Sequence, residues 1–338
     1  MTTADLIAFL GRFPHRIRLT RGTFIIFILV HRSTCMAESP RTINPISTVI
    51  GLIREIRPWQ WYKQGVMLLG IVFSRSLLDA DAWINLLIGI VAFTAIAGAT
   101  YIFNDINDLE KDRNHPEKRH RPIASGQVTI PVSIVFGILL VGIGFGAAYS
   151  LGPLFFTVLL GYIGQNALYS LYLKRILFVD VLIIATGFVL RAIAGVVAID
   201  VYLSPWLIVS TFLLALVLAF GKRRHELEVT TNPRETRHVL EEYSKNDVDQ
   251  LLVMTMATLL MAYSLYTFFR TDPMMMTTLP FAFFGVFRYH HLVHTTDIAG
   301  QAKYLLTDVP SIANLILWVC LVVVVLYDVP ELVIEVFR

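Results

Sequence analysis

The stretch NDINDLEKDRNHPEKRHRPIASG, residues 104–126, decides how this chain of 338 residues is read. It holds Asp105, Asp108, Glu110, Asp112 and Glu117, and against them Lys111, Arg113, Lys118, Arg119 and Arg121. Directly before it runs INLLIGIVAFTAIAGATYIF, residues 84–103, without a charge. An apolar helix of about 20 residues covers about 30 Å of hydrocarbon, so charge arrives where a span leaves the bilayer. If the helix runs on through residue 112, Asn104, Asp108 and Asp112 share one face, with Asp105 beside them. Their oxygens then converge where a hard divalent cation can sit, with sites left open for phosphate oxygens. The basic residues downstream suit the same phosphates.

Composition agrees with a membrane chain. Hydrophobic residues make up 56% and charged residues 16%, and the mean hydropathy is +0.65, too apolar for a soluble globule. The fold class is an all-α polytopic membrane protein; a barrel would alternate in short segments. Cys35 lies in a polar region and Cys320 in an apolar run, so neither a disulfide framework nor a zinc site is expected.

Residues 1–45 read as a separate leader. Arg12, Arg16, Arg18 and Arg21 precede FIIFILV, residues 24–30, which is too short to span. No small-x-small cleavage site before Cys35 supports a signal peptide. A loosely ordered or surface-lying segment is expected there, followed by a membrane domain over residues 46–338. That domain opens with STVIGLIREIRPWQWYK, residues 47–63. Its apolar Val49, Ile53 and Ile56 alternate with Arg54, Glu55 and Arg57 as in an interfacial helix, and Pro58 re-aims the chain.

Nine spans are expected, at 62–78, 83–103, 131–150, 153–173, 177–199, 205–221, 250–270, 275–290 and 312–329. The sixth is short, and Pro280 interrupts the eighth. Loops after the even-numbered spans carry fifteen Lys and Arg, from Lys111 to Lys303, against Arg75 and Arg270 in the others. This asymmetry places the basic loops and the N-terminal side in the cytoplasm and the C-terminus outside. Topology alone accounts for the basic residues but leaves Asp105, Asp108 and Asp112 unexplained.

At the cytoplasmic end of a span, followed by HPEKRHRPIASG, the NDxxDxxxD pattern resembles the Asp-rich motif of the UbiA superfamily of intramembrane prenyltransferases. The resemblance covers roughly residues 47–327 and implies a nine-helix bundle that binds a diphosphate through Mg²⁺ held by Asn104, Asp105, Asp108 and Asp112. RPWQWYKQ, YSLYLKR, GFVLRAIAG, GKRRHELE, FRYHHLV and LLTDVP resemble one branch of that superfamily. Its members move ribose 5-phosphate from phosphoribosyl diphosphate to a decaprenyl-type polyprenyl phosphate, in the plasma membrane, toward arabinan of actinobacterial cell walls. Members acting on aromatic acceptors have a second DxxxD motif after the sixth helix; here the place reads Lys222-Arg223-Arg224-His225-Glu226. Fewer carboxylates and more cations suit ligands carrying more phosphate, although the same run also serves as a topology anchor.

The resemblance implies further roles. Asp108, Asp112, Lys174 and Glu226 are the expected catalytic residues, and phosphate contacts are expected from Lys111, Arg113, Lys118, Arg119, Arg121, Arg175, Lys222 and Arg223. Tyr169 and Lys174 resemble a family Tyr–Lys pair, with a spacing one residue longer than usual. Asp180 is expected either to touch metal or ribose hydroxyls or to pair with Lys174. Arg191, about three turns further along the same face, pairs with a carboxylate or holds the lipid phosphate. Gln60 and Lys63 bind either phosphate, unless Lys63 snorkels. The departing diphosphate leaves oxocarbenium character at ribose C1, and the acceptor phosphate, already an anion, needs no general base. Two rival readings stand beside this one: a prenyltransferase with an isoprenoid diphosphate donor, and a transporter, which should show internal repeats. No nucleic acid is implied, and self-association is left open.

Overall fold

The computed structural model describes residues 45–229, 238–269, 273–295 and 307–328. The leader through residue 44 lies outside these, as do Arg234, Arg237, Arg270 and Lys303. Among the described residues every regular element is helical. Helix α1, Pro45–Glu55, buries Gly51 and Glu55 and leaves Val49, Ile50 and Ile53 exposed. It ends where Arg57 turns into the left-handed region at φ 50° and Pro58 opens a new direction.

The first expected span differs from its sequence reading. Residues Pro58–Met67 form a 3₁₀ helix, and only Leu68–Phe73 continue as an α-helix, α2. A 3₁₀ run of this length is uncommon, and close backbone packing accompanies it. A Cβ on Gly195 would stand 2.2 Å from the Met67 carbonyl oxygen, and one on Gly70 would stand 3.1 Å from the Gly195 carbonyl carbon. The chain carrying Met67 and Gly70 therefore lies directly on the helix carrying Gly195.

Helix α3, Ala80–Asn107, is capped by the Asp79 carboxylate, which accepts from the amides of Asp81 and Ala82. After a break at Asp108 comes α4, Leu109–Asn114. Then follow α5 (Ile130–Ser150), α6 (Pro153–Leu171), α7 (Val179–Ala198), α8 (Pro205–Val229), α9 (Lys245–Phe269), α10 (Leu279–Thr295) and α11 (Val309–Leu326). Seven of these, α3, α5 to α9 and α11, are long and apolar enough to cross a membrane. The expected nine therefore become seven long helices among the described residues, with α2 and the 17-residue α10 shorter.

Two other details depart from expectation. The sixth span is not short, because α8 runs on through the basic residues to Val229. Pro280 does not interrupt the eighth; it lies in the first turn of α10, where its missing N–H is no loss. One apolar cluster joins Met67, Leu86, Phe93, Phe155, Leu159 and Ala194, and another joins Val181, Phe220, Leu252, Met256 and Tyr289. In lipid such contacts stabilise through close packing rather than exclusion of water. Between α2, α8, α9, α10 and α11 an apolar cavity of about 1010 Å³ remains, lined by Leu69, Trp206, Leu214, Val286 and Trp318 among others.

Gly195→Ala should lower the unfolding temperature in detergent micelles, since overpacking of this kind costs about 1–3 kcal/mol. Gly142→Ala, with open space around its Cβ, should hold or raise it. Unchanged unfolding of the Gly195 variant would show that the backbone contact is no constraint.

Candidate active site

The acidic stretch keeps helical register across its break. The Asp108 amide donates to the Asn104 carbonyl and the Asp112 amide to the Asp108 carbonyl, each at 2.9 Å. Asn104, Asp108 and Asp112 therefore follow one another at single-turn intervals, as their spacing predicts. Asp105 and Asp112 are buried, whereas Asn104 and Asp108 are partly exposed.

Arginines occupy much of this acidic surface. Arg57 Nη2 donates to both carboxylate oxygens of Asp105 at 2.8 Å. Arg121 Nη1 donates to Asp105 Oδ1 at 2.9 Å and to Asp112 Oδ2 at 2.6 Å. Glu55 lies behind them, accepting the Ile123 amide at 2.9 Å. Burial, with the hydrogen-bonded Asp105 carboxyl beside it, pushes the Glu55 carboxyl up to about 7. Among the described residues, Asp108 pairs only with the exposed Lys111, at 3.5 Å.

Other residues of the stretch stand outward. Lys118 and Arg119 are exposed, while Arg113 donates to the Ala124 carbonyl at 3.3 Å. His115 ends α4, its Nδ1 accepting the Glu117 and Lys118 amides. Lys174 and Arg175 occupy the turn Leu173–Arg175 after α6, and Tyr169 stands near that helix's end.

Asp180 and the basic run of α8 form a second assembly. Asp180 is fully buried; it accepts from Arg223 Nε at 2.9 Å and from the Tyr243 hydroxyl at 2.8 Å. Arg223, also fully buried, binds Glu226 through Nη1, and Lys222 lies 3.9 Å from Glu226. The expected partner of Asp180, Lys174, is thus replaced by Arg223, because α7 packs on α8 and brings the two side chains together. An Arg223 enclosed this way is no open phosphate contact.

Arg191 has neutral partners in place of a carboxylate, the first of its two expected roles. Its hydrogen bonds reach Gln64 Oε1 at 3.1 Å, the Gly187 carbonyl at 2.9 Å and the Tyr162 hydroxyl at 2.6 Å, none of them a carboxylate. Gln60 Oε1 accepts from Lys63 at 2.8 Å and from the Tyr101 hydroxyl at 3.1 Å. Sequence reasoning missed Arg57, Gln64, Tyr101, Tyr162 and Tyr243 as members of the site. Gln64 ends the quoted RPWQWYKQ, so that motif carried a signal for it.

The donor set suits Mg²⁺. Among the described residues no three His, Cys, Asp or Glu side chains gather into a closed metal cage. Mg²⁺ seldom needs one, being held by one or two carboxylates with water and substrate phosphates. Asn104 and Asp108 offer partly exposed oxygens, and Arg121 engages Asp112 through Oδ2. Such an open edge fits a cation that arrives with its phosphate.

Comparison with known proteins places this geometry. Decaprenyl-phosphate phosphoribosyltransferase of Mycolicibacterium smegmatis is 33% identical over 70% of this chain and 77% of its own. The protein of the same name from Corynebacterium glutamicum is 28% identical over 88% of this chain and 93% of its own. A UbiA homologue from Archaeoglobus fulgidus, solved with GPP and Mg²⁺, shares the fold with a TM-score of 0.64 at 15% identity, over 82% of this chain and 99% of that one. Residues 66–318 match the UbiA prenyltransferase family, so the chain belongs to that family and is a membrane-embedded transferase.

Proposed function

We propose that the protein transfers the 5-phosphoribosyl group from phosphoribosyl diphosphate to a polyprenyl phosphate of decaprenyl type. The observation that carries this reading is the state of the residues after the sixth span. Where an aromatic-acceptor enzyme would place a second acidic motif, the one remaining acid of the run, Glu226, is engaged by Arg223 and Lys222. Little carboxylate is left there for a second metal, and cations remain for phosphate. The names of the two bacterial relatives support phosphoribosyl transfer to decaprenyl phosphate.

In this reading the acidic end faces the cytoplasm across a plasma membrane crossed nine times, with the 3₁₀ segment plus α2 and α10 as shorter passages. Helix α1 lies in the interface, its exposed Val49, Ile50 and Ile53 toward lipid. Bound with the donor, Mg²⁺ would neutralise the departing diphosphate as a Lewis acid, and Asn104, Asp108 and Asp112 are the residues that would hold it. Arg57 and Arg121 fix Asp105 and Asp112, so Asp105 serves position more than ligation. Lys111, Lys118, Arg119, Lys174 and Arg175 offer charge to the donor phosphates, with Tyr169 beside them.

The bond that breaks joins ribose C1 to the diphosphate, and the bond that forms joins C1 to an oxygen of the lipid phosphate. The acceptor is an anion before it arrives, so the protein supplies position and electrostatic stabilisation rather than a base. The polyprenyl chain suits the apolar cavity lined by Leu69, Trp206 and Trp318. The ribosylated lipid then serves arabinan precursor synthesis.

Membranes given ribose-labelled phosphoribosyl diphosphate and decaprenyl phosphate should yield labelled lipid, with the β configuration expected for in-line displacement of an α-diphosphate. An α-linked product would rule out that displacement, and turnover of a prenyl diphosphate without lipid label would favour the rival donor. Asp108→Ala should abolish the Mg²⁺-dependent transfer while leaving the unfolding temperature near wild type; full activity would refute the metal assignment. Arg223→Met should instead destabilise the fold, since breaking a buried ion pair costs about 3–5 kcal/mol. A stable Arg223 variant with only a raised KM would return Arg223 to the substrate.

A further inference from the structure

The turn between α6 and α7 bends at a residue ill suited to it. Among the described residues, Arg57, Arg75, Phe178, Asp200 and Asp328 have positive φ without being glycine. Four of these are charged, whereas Phe178, at φ 62° and ψ −32°, opens the membrane-length helix α7. For a bulky side chain this backbone is strained. Phenylalanine also has no oxygen with which to cap the helix it begins. Glycine takes such a conformation freely, yet the chain has Phe178 here, so the turn depends on support from outside it.

That support is Tyr243, which follows the 3₁₀ turn His238–Glu241 and precedes α9. The Phe178 amide donates to the Tyr243 hydroxyl at 3.1 Å, and the same hydroxyl donates to Asp180 Oδ1 at 2.8 Å. The two rings meet edge to face, their centroids 5.6 Å apart. One hydroxyl thus binds the residue before α7 and an acid in that helix's first turn. Tyr243 is buried, and with Val239 it belongs to the same apolar cluster as Val181. Packing alone would be served as well by phenylalanine at this position. The hydroxyl is the part that packing does not explain.

Lys174 and Arg175 stand four and three residues before Phe178, so the backbone direction at Phe178 governs where their side chains reach. We infer that Tyr243 is a positioning residue for the donor diphosphate, acting through Phe178 on Lys174 and Arg175. The inference rests on the function proposed above, in which those two residues offer charge to the donor phosphates. Tyr243 itself acts on the turn and not on the substrate. Without its hydroxyl, Phe178 relaxes toward negative φ, and the turn carrying Lys174 and Arg175 swings with it.

Tyr243→Phe keeps the ring and removes the hydroxyl. In the full-length protein in detergent it should raise the KM for phosphoribosyl diphosphate about tenfold, with kcat and the KM for decaprenyl phosphate near wild type. Phe178→Gly added to Tyr243→Phe should bring the donor KM most of the way back, because glycine holds positive φ unaided. An unchanged donor KM, equal rises for both substrates, or no recovery in the double variant overturns the proposal. Trypsin gives a readout free of the reaction. Cleavage after Lys174 or Arg175 should run about tenfold faster in Tyr243→Phe than in wild type, both kept well below their unfolding temperatures, since the open turn is more populated. An unchanged cleavage rate overturns the hold of Tyr243 on the turn. If the wild type transfers no phosphoribosyl group, the proposed reaction fails, while the cleavage rates still decide whether Tyr243 fixes the turn.

Discussion

One guanidinium nitrogen, Arg121 Nη1, touches Asp105 and Asp112 at once. These carboxylates lie on either side of the break at Asp108, one at the end of α3 and the other in α4. Without a cation between them, two buried acids would repel across a medium of low dielectric. With it, α4 is tied back to α3, and Asn104, Asp108 and Asp112 hold their one-turn spacing. Arg57 secures Asp105 from the other side. That contact fixes the entry to the 3₁₀ segment, where Gln60, Lys63 and Gln64 reside.

The site thus uses charge in two ways. Around Asp105, Asp112 and Asp180, every acid has an arginine and every one of those arginines an acid. Such closed assemblies hold geometry and attract little. At Asp108, 37% exposed beside Lys111, the pairing is looser, and in the function proposed above this open edge is where a phosphate carried by a cation would be met.

How much of this could be read in advance depends on the range of the interaction. Helices α3, α5, α6, α9 and α11 were legible because an uncharged window of membrane length has few alternatives to a span. The succession of Asn104, Asp108 and Asp112 was legible because helical periodicity is local. The pairing of Arg57 with Asp105, or of Asp180 with Arg223 and Tyr243, was not: their separations of 48, 43 and 63 residues are bridged only by the packing of whole helices. The 3₁₀ form of the first passage was hidden for a related reason. Apolar content gives a segment's environment, and here the close approach of Met67 to Gly195 sets its course. Pro280 misled because its meaning turns on helix phase: interior proline breaks a helix, first-turn proline begins one.

For the reaction proposed above, the 3₁₀ segment and its α2 extension offer a way to bring an ionic donor and a very apolar acceptor together. Residues Gln60, Lys63 and Gln64 are polar and bond with Tyr101 and Arg191, while Leu69, only five residues beyond Gln64, already lines the apolar cavity. A 3₁₀ helix rises about 2 Å per residue against about 1.5 Å in an α-helix, so the stretched segment covers the distance from polar site to lipid cavity with fewer side chains between. Polar groups at one end and apolar groups at the other then lie in one short run of chain, held against α7 by contacts at Gly70 and Gly195. Displacing that run would shift these polar side chains and the cavity wall together. The glycines therefore act on the chemistry through position, although neither carries a side chain.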